Sequence, residues 1–280
     1  MRHVAVVDRA RGMLDFKRAL DYVQLHRLTP ARDLRPWINS YWIVSWDLPL
    51  GLVHRQTNIS HASIKAAFEP EGMFLYGVPA RTIVRDISGK GSAFSVMFRP
   101  GGFFPFWGSS LSQLTGKRIA LDKAFGAPAA LWACRMEAAR SNRERAAITD
   151  AFWRKLRQTT HPGISSGEPP VATTLAEQII YDRSIVTVSA AAAATGMDVR
   201  SLQRLFRHEV GITPKELILR FRLQEAAERL SKDPDVPCCE IALDLGYFDQ
   251  AHFNRDFKAL VGASPDAYRR RQKAIRKHRL

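Results

Sequence analysis

Two stretches near the end of the chain repeat one layout, and this repeat constrains the fold more than any other feature. They are VSAAAAATGMDVRSLQRLFRHEVG, residues 188–211, and CEIALDLGYFDQAHFNRDFKALVG, residues 239–262. In each, a short apolar helix is predicted to end at a glycine, which tolerates the positive φ of a helix C-terminus. An aspartate then precedes a second helix with apolar side chains at helical spacing. Helix, tight turn and second helix are typical of a helix-turn-helix unit.

The two stretches carry the same residue types at corresponding points. Gly196 and Gly246 stand at the turns, and Asp198 and Asp249 are candidate N-caps. Each second helix has an apolar stripe that would hold it against partner helices. The stripe consists of Leu202, Leu205 and Phe206 in the first unit and of Phe253, Phe257 and Leu260 in the second.

The face opposite each apolar stripe is polar. An arginine side chain matches O6 and N7 of guanine, and asparagine or glutamine matches N6 and N7 of adenine, so such a face can read bases in the major groove. Polar helix faces are usually only solvated, and it is the repeated layout that favours DNA here. The candidate DNA-binding residues are Arg200, Gln203, Arg204 and Arg207 in the first unit and Gln250, His252, Asn254, Arg255 and Lys258 in the second.

Some of these side chains have alternative roles. Arg207 and Lys258 lie further along their helices and are placed to reach phosphates. Arg204 and Arg255 have two alternatives to a base contact, which are a phosphate contact and an ion pair with a carboxylate. Asp256 is interpreted as structural, because its charge repels phosphate.

Residues 175–272 resemble the DNA-binding domain of the AraC/XylS family of bacterial transcription regulators. The resemblance rests on RSLQRLFRHEVGITPKELILRFRLQEAAERL and on the run GY-x-D-Q-x-H-F-x-R-x-F…G-x-S-P-x-x-Y from Gly246 to Tyr268. It implies seven helices, with a long helix joining two helix-turn-helix units. It also implies that recognition helices 199–210 and 250–260 enter successive major grooves on one DNA face, about 34 Å apart.

Three further helix starts are predicted from capping signals. A threonine followed three residues later by glutamate forms a capping box, and proline favours the first helical position. The predicted starts are Thr174 with Glu177, Thr213 with Pro214 and Glu216, and Ser264 with Pro265.

Residues 22–120 have a different pattern, in which short apolar runs rich in β-branched and aromatic residues alternate with turn residues. This predicts strands of a barrel or sandwich. Residues 121–158 repeat apolar positions at three and four, which predicts helices. The predicted fold class is α+β, a β-rich region with following helices and then an all-α domain. The family resemblance implies a cupin-like barrel that senses a small molecule, dimerises, or both. Strands are predicted in YWIVSW (41–46), MFLYGV (73–78), RTIVRDI (81–87) and AFSVMF (93–98).

The chain has 280 residues, too many for most single cores, which predicts two domains. The break falls in TTHPGISSGEPP, where Pro, Gly, Ser and Thr dominate and no apolar period continues. The predicted organisation is an N-terminal extension (1–21), an effector-sensing or dimerisation domain (22–158), a linker (159–170), and a double helix-turn-helix domain with a basic tail (171–280).

The stretch FRPGGFFPFWG, residues 98–108, has two interpretations. One is a tight turn that packs its aromatic side chains into a core. The other is a wall of an effector pocket, in which the arginine pairs with an anionic group. The candidate pocket residues are Arg99, Phe103, Phe106 and Trp107.

The net charge of +15 indicates a polyanionic partner, either nucleic acid or an anionic membrane face. Residues 171–280 carry 18 basic and 14 acidic residues, a net +4, so the remaining +11 belongs to residues 1–170. That excess could attract an acidic effector, flank DNA or be solvated. The tail RRRQKAIRKHRL has 7 basic residues and is either solvated or bound to phosphates.

No catalytic, cofactor-binding or metal-binding residues are predicted. The chain has no H-E-x-x-H and no glycine-rich phosphate loop, and His54 and His61 lack the spacing of a cupin metal site. The odd and small number of cysteines, Cys134 and the adjacent Cys238 and Cys239, suits a reducing compartment. No apolar run approaches the roughly 20 residues that a membrane span needs. We expect a cytoplasmic, nucleoid-associated protein without a secretory signal or a membrane partner.

These features together predict a sequence-specific DNA-binding transcription regulator, controlled by a small-molecule effector in its N-terminal domain. The expected partners are double-stranded DNA, an unidentified effector, RNA polymerase and a second copy of the chain. One alternative is a cupin-like enzyme fused to a DNA-targeting module, which would bind stoichiometric metal. Another is a non-specific binder driven by charge, whose affinity would follow salt steeply and ignore base sequence.

Overall fold

The computed structural model describes residues 13–14, 22–58, 61–80, 82–160 and 167–277. Within these residues all nine strands precede residue 121, and every regular element after it is a helix. This order confirms the predicted α+β class, with a β-rich region followed by helices. No helix among the described residues is long and apolar enough to cross a membrane.

The strands form two antiparallel sheets. Each of the four predicted runs overlaps one of the strands. The larger sheet has the order β2-β3-β8-β5-β6-β9, and the smaller one has the order β1-β4-β7. Strand β1 was not expected, because it falls in the stretch interpreted as an N-terminal extension. The strands are β1 Met13–Leu14, β2 Val23–Leu28, β3 Ile38–Asp47, β4 Val53–Asn58, β5 Lys65–Glu69, β6 Gly72–Tyr76, β7 Ile83–Ser88, β8 Lys90–Phe98 and β9 Arg118–Ala120.

Four helices accompany the sheets, and the larger sheet buries its apolar face among them. Alternate side chains of a strand point to opposite faces of a sheet. Tyr41 of β3 and Phe94 of β8 are buried in the core that the helices share, so both lie on the helix-covered face. Trp153 is fully buried there, with its ring 4.9 Å from that of Phe98. The Tyr41 hydroxyl donates to Asp150 Oδ1 at 2.6 Å. The helices are α1 Phe104–Trp107, α2 Leu121–Phe125, α3 Ala127–Ala138 and α4 Asn142–Thr160.

The C-terminal region contains seven helices among the described residues, the number that the family resemblance implies. Both turns have the predicted chemistry: Gly196 and Gly246 have φ of 66° and 73°. The Asp198 carboxylate accepts from the Ser201 N–H at 2.9 Å, and the Asp249 carboxylate caps the corresponding helix of the second unit. The helices are α5 Val171–Tyr181, α6 Val188–Thr195, α7 Val199–Glu209, α8 Pro214–Lys232, α9 Cys238–Asp244, α10 Gln250–Val261 and α11 Pro265–Lys277.

One of the two predicted capping boxes is present, and the other was wrong. At α8 the Glu216 N–H donates to the Thr213 hydroxyl at 3.2 Å, and the Thr213 N–H donates to the Glu216 carboxylate at 2.8 Å. At α5 the helix already begins after Pro170, so Thr174 lies inside it. The Glu177 carboxylate pairs instead with the guanidinium of Arg99 in the N-terminal half, and no local pattern signals that contact.

This difference gives a first prediction. Thr213→Ala should lower the free energy of unfolding by about 1 kcal/mol, because the N-cap bond at α8 is lost. Thr174→Ala is the matched control, since this exposed threonine caps nothing and alanine favours a helix interior. Urea unfolding of both variants measures the difference. Equal losses at the two positions would contradict the assignment of the cap.

Two hydrophobic cores divide the molecule at α8. The first core runs from the strands through α5, α6 and α7 to Leu217 and Ile218 of α8. The second begins at Leu223 of the same helix and contains Phe253 and Phe257 of α10. The first helix-turn-helix unit therefore shares its core with the N-terminal half, whereas the second unit has a core of its own.

Candidate nucleic-acid interface

Helix α7 presents the predicted polar face of the first unit to solvent. Arg200, Arg204 and Arg207 are exposed, and their spacing of four and three residues places them on one side of the helix. Gln203 lies beside them and is half-buried. On the opposite side Leu202 and Phe206 are fully buried, and Leu205 is half-buried. The structure thus gathers the four candidate residues on the free face of an anchored helix.

Helix α10 has the same organisation in the second unit. Gln250, His252, Arg255 and Lys258 are exposed, and Asn254 is half-buried. Behind them Phe253 and Phe257 are fully buried, with their ring centroids 5.6 Å apart, while Leu260 is half-buried. Both units therefore offer guanidinium and amide donors on a face that no described part of the chain covers, and their contacts to bases stay predictions.

Asp256 has the contacts of a structural residue, as its interpretation requires. Its carboxylate accepts from the Tyr247 hydroxyl at 3.2 Å, and the same oxygen lies 3.2 Å from His252 Nε2. The Arg222 guanidinium stacks 4.4 Å from the centroid of the Tyr247 ring. Burial and the nearby Asp256 carboxylate raise the pKa of Tyr247, which keeps its hydroxyl a donor. These contacts fix the orientation of His252 at the start of α10.

The C-terminal ends of α7 and α10 touch the N-terminal half. At α7, the Ser110 hydroxyl donates to the Arg207 carbonyl at 3.4 Å, and the rings of Phe104 and His208 lie 5.0 Å apart. At α10, the Thr82 hydroxyl donates to the Leu260 carbonyl. Sequence reasoning missed these contacts, because they join residues about a hundred or more positions apart and no local spacing signals such a pairing.

The stretch that follows β8 also contributes to the contact between the N-terminal half and the C-terminal helices. The Arg99 guanidinium pairs with Glu177 of α5, and its Nε donates to the Arg35 carbonyl at 2.7 Å. A Cβ at Gly102 would lie 2.3 Å from the Trp37 carbonyl oxygen, so the backbone approach there requires glycine.

The aromatic side chains of this stretch point into the first core. Phe103 and Phe106 are fully buried, with their ring centroids 6.0 and 5.3 Å from that of Trp153, and Trp107 is half-buried. These contacts favour the turn interpretation over the pocket interpretation, and a role in effector binding stays a prediction.

His54 and His61, the two histidines considered for a metal site, each contact a neighbouring side chain. His54 Nε2 lies 3.3 Å from Gln56 Oε1, and the His61 ring packs edge-on against Trp42 at 5.5 Å. Among the residues that the structure describes, no three His, Cys, Asp or Glu side chains gather as a set that could hold a metal ion.

Comparisons with known proteins agree with this layout. A family profile described as a helix-turn-helix domain matches residues 191–271, and a profile described as a domain of unknown function matches residues 26–120. The probable transcription factor PqrA of Proteus vulgaris is 33% identical over 84 residues, which are 30% of this chain and 68% of PqrA. The chain belongs to the AraC/XylS family.

Two other curated AraC/XylS relatives also match part of the chain. The transcriptional activator NphR of Rhodococcus sp is 36% identical over 35% of this chain and 29% of its own length. The regulator MtrA of Neisseria gonorrhoeae is 37% identical over 28% of this chain and 26% of its own length. The chain thus spans less than a third of these two relatives. A solved structure, ToxT from Vibrio cholerae O395, aligns over 88% of this chain and 96% of its own with 12% identity and a TM-score of 0.36.

Proposed function

We propose that this AraC/XylS chain is a sequence-specific DNA-binding transcription regulator whose helices α7 and α10 read successive major grooves. The observation that carries the proposal is the repeated unit, in which an aspartate cap and a buried phenylalanine hold an exposed face of arginine and amide side chains. Such a face can make bidentate contacts with guanine and adenine edges. Its partner is double-stranded DNA, which places the protein with the nucleoid in the cytoplasm.

Arginine and lysine on the later turns of the helices would add contacts to phosphates. Arg207 lies on the last turn of α7, and Lys258 lies near the end of α10. Phosphate contacts position a protein on the duplex, and base contacts specify the sequence. The proposal therefore assigns affinity mainly to these two residues and specificity mainly to Arg200, Gln203 and Arg255.

The proposal includes control by a small-molecule effector bound within residues 22–158. This part of the chain contacts α5 through Arg99 and touches the ends of both recognition helices through Ser110 and Thr82. A ligand that binds one arrangement of these contacts better than another shifts the population of the DNA-competent state. The domain boundaries at 159–170, a second copy of the chain and RNA polymerase as partners, and the absence of catalysis belong to the same proposal.

The test is selection of bound sequences from a random DNA pool, with the purified full chain at near-physiological salt. The proposal predicts an enriched motif containing two boxes about one helical turn apart. Recovery of an unbiased pool, together with steep salt dependence, would support the non-specific binder instead. A metal analysis of the same preparation addresses the enzyme alternative, which requires stoichiometric iron, zinc or manganese.

A further inference from the structure

A row of three side chains crosses the larger sheet on the face away from the helices. Lys65 of β5 lies opposite Tyr76 of β6, and Tyr76 lies opposite Arg118 of β9. Directly opposite residues of paired strands share one face, so the ammonium group, the phenol and the guanidinium are neighbours. The Lys65 ammonium lies 4.3 Å from the centroid of the Tyr76 ring. Two cations therefore flank one aromatic ring.

A third cation reaches this row from the smaller sheet. Arg85 of β7 donates through Nη2 to the Tyr76 hydroxyl, and its Nη1 lies 2.8 Å from Glu69 Oε1. The Glu69 carboxylate also accepts from the Tyr76 hydroxyl at 2.5 Å and lies 3.6 Å from Lys65 Nζ. The side chain of Glu69 is only 2% exposed. We call Lys65, Arg85 and Arg118, with Glu69 and Tyr76, the cationic cluster.

The cationic cluster has more positive than negative charge. Glu69 serves both Lys65 and Arg85, whereas the Arg118 guanidinium stacks on the Phe74 ring with a centroid distance of 3.4 Å. No carboxylate among the described residues forms an ion pair with Arg118. Three cations around one carboxylate leave an excess of two positive charges. Because like charges in a partly buried site destabilise one another, an added anion is favoured there.

The electrostatics of Lys65 agree with this shortage of negative charge. Burial, which outweighs the attraction of Glu69, and the charges of Arg85 and Arg118 lower the pKa of Lys65 to about 8. About a quarter of its side chain stays exposed, so a small solute can reach it. Part of the +11 net charge of residues 1–170 therefore lies at one enclosed place instead of being spread over a solvated surface.

We propose that the cationic cluster binds the carboxylate of a small organic acid, with Arg118 and Lys65 contacting the anion beside the rings of Phe74 and Tyr76. Arginine matches a carboxylate with two parallel donors. The rings of Phe74 and Tyr76, on which Arg118 and Lys65 stack, hold both cations in place beside each other. A DNA phosphate is a poor fit, because Arg85 of the smaller sheet covers this face and Glu69 is only 2% exposed. The proposal depends on the proposed function only for its regulatory consequence.

The test is thermal unfolding of the full chain in sodium phenylacetate, compared with sodium chloride at equal ionic strength and with uncharged phenylacetamide. Phenylacetate should raise the Tm of the wild-type protein in a concentration-dependent way, and phenylacetamide should not. Arg118→Gln should weaken the apparent affinity about tenfold, because a charge-assisted contact is lost. Arg55→Gln is the matched control, since Arg55 is exposed and pairs with Asp86 on the smaller sheet.

The affinity for phenylacetate should also fall as the pH rises through about 8. The groups that face Lys65 are Glu69, Tyr76, Arg85 and Arg118, and Lys65 is the member of the cluster whose charge is lost in that range. Lys65→Gln should remove this pH dependence. A conservative Arg118→Lys variant should restore part of the affinity that Arg118→Gln loses.

Two results would overturn the proposal. One is a Tm in phenylacetate that equals the Tm in chloride. This result overturns the proposal even if inorganic phosphate alone raises the Tm. The other is an equal response of Arg118→Gln and Arg55→Gln. DNA binding is measured separately on the selected sequence, with and without phenylacetate. A Tm response without DNA binding would contradict the proposed function and leave the site standing, whereas DNA binding without a Tm response would do the reverse.

Discussion

Phe253→Ala is expected to lower the free energy of unfolding of the second helix-turn-helix unit by about 3–5 kcal/mol. Phe253 is fully buried, and its ring centroid lies 5.3 Å from that of Tyr247 and 5.6 Å from that of Phe257. Both neighbours belong to the second core, so removal of the Phe253 ring leaves a cavity beside them. Urea unfolding followed by circular dichroism should show an early transition belonging to this unit.

The same unit contains a matched control for this variant. Phe248 lies in the turn before α10 and is 101% exposed, so Phe248→Ala should change the free energy of unfolding by no more than about 0.5 kcal/mol. Hydrogen exchange of the α10 amides should separate the two variants, with protection lost only in Phe253→Ala. A Phe253→Ala protein as stable as the wild type that fails only to bind DNA would contradict the core role.

Arg255→Ala is expected to lower the affinity for the specific site by about 1–3 kcal/mol and to relax the preference at one base pair. Arg255 is exposed on the side of α10 opposite Phe253 and Phe257, so its removal leaves the core intact. Binding is measured by titration against the selected sequence and against its single-base variants.

Lys258→Ala is the companion variant for Arg255→Ala. If Lys258 contacts a phosphate, its loss should weaken all sequences about equally and reduce the slope of log K against log salt by about 1. An unchanged base preference in Arg255→Ala would remove Arg255 from the base-reading set and leave phosphate contact as its role.

Local signals predicted the elements that depend on near neighbours in sequence. The caps at Asp198, Asp249 and Thr213 each use a bond to a residue three positions ahead, which a sequence pattern can contain. The turns at Gly196 and Gly246 depend on the φ of one residue. These elements, with the apolar stripes of α7 and α10, define both candidate DNA-reading faces.

The sequence could not predict the features that depend on distant partners. Glu177 has the spacing of a capping box, yet it pairs with Arg99, 78 positions away. The cationic cluster depends on the register of β5, β6 and β9 and on Arg85 from the other sheet. Register is set by how whole faces pack together, and the spacing within one strand does not contain it.

The two cores suggest how an effector signal would travel in the proposed regulator. Because the first unit shares its core with the N-terminal half, a change around the strands acts on α7 through continuous packing. The second unit follows through α8, whose Leu217 and Leu223 lie in different cores. On this account, ligand binding changes the placement of α7 relative to α10, and thereby the spacing at which DNA is read.

Dimethyl sulfate protection of the selected DNA by the full chain tests the central claim most directly. The reagent methylates N7 of guanine in the major groove, the atom that an arginine of a recognition helix covers. Two clusters of protected guanines, about one helical turn apart on one face of the duplex, are the predicted result, and Arg255→Ala should release a guanine in one of them. A single protected cluster, or two clusters on opposite faces, would contradict the proposal that α7 and α10 enter successive major grooves.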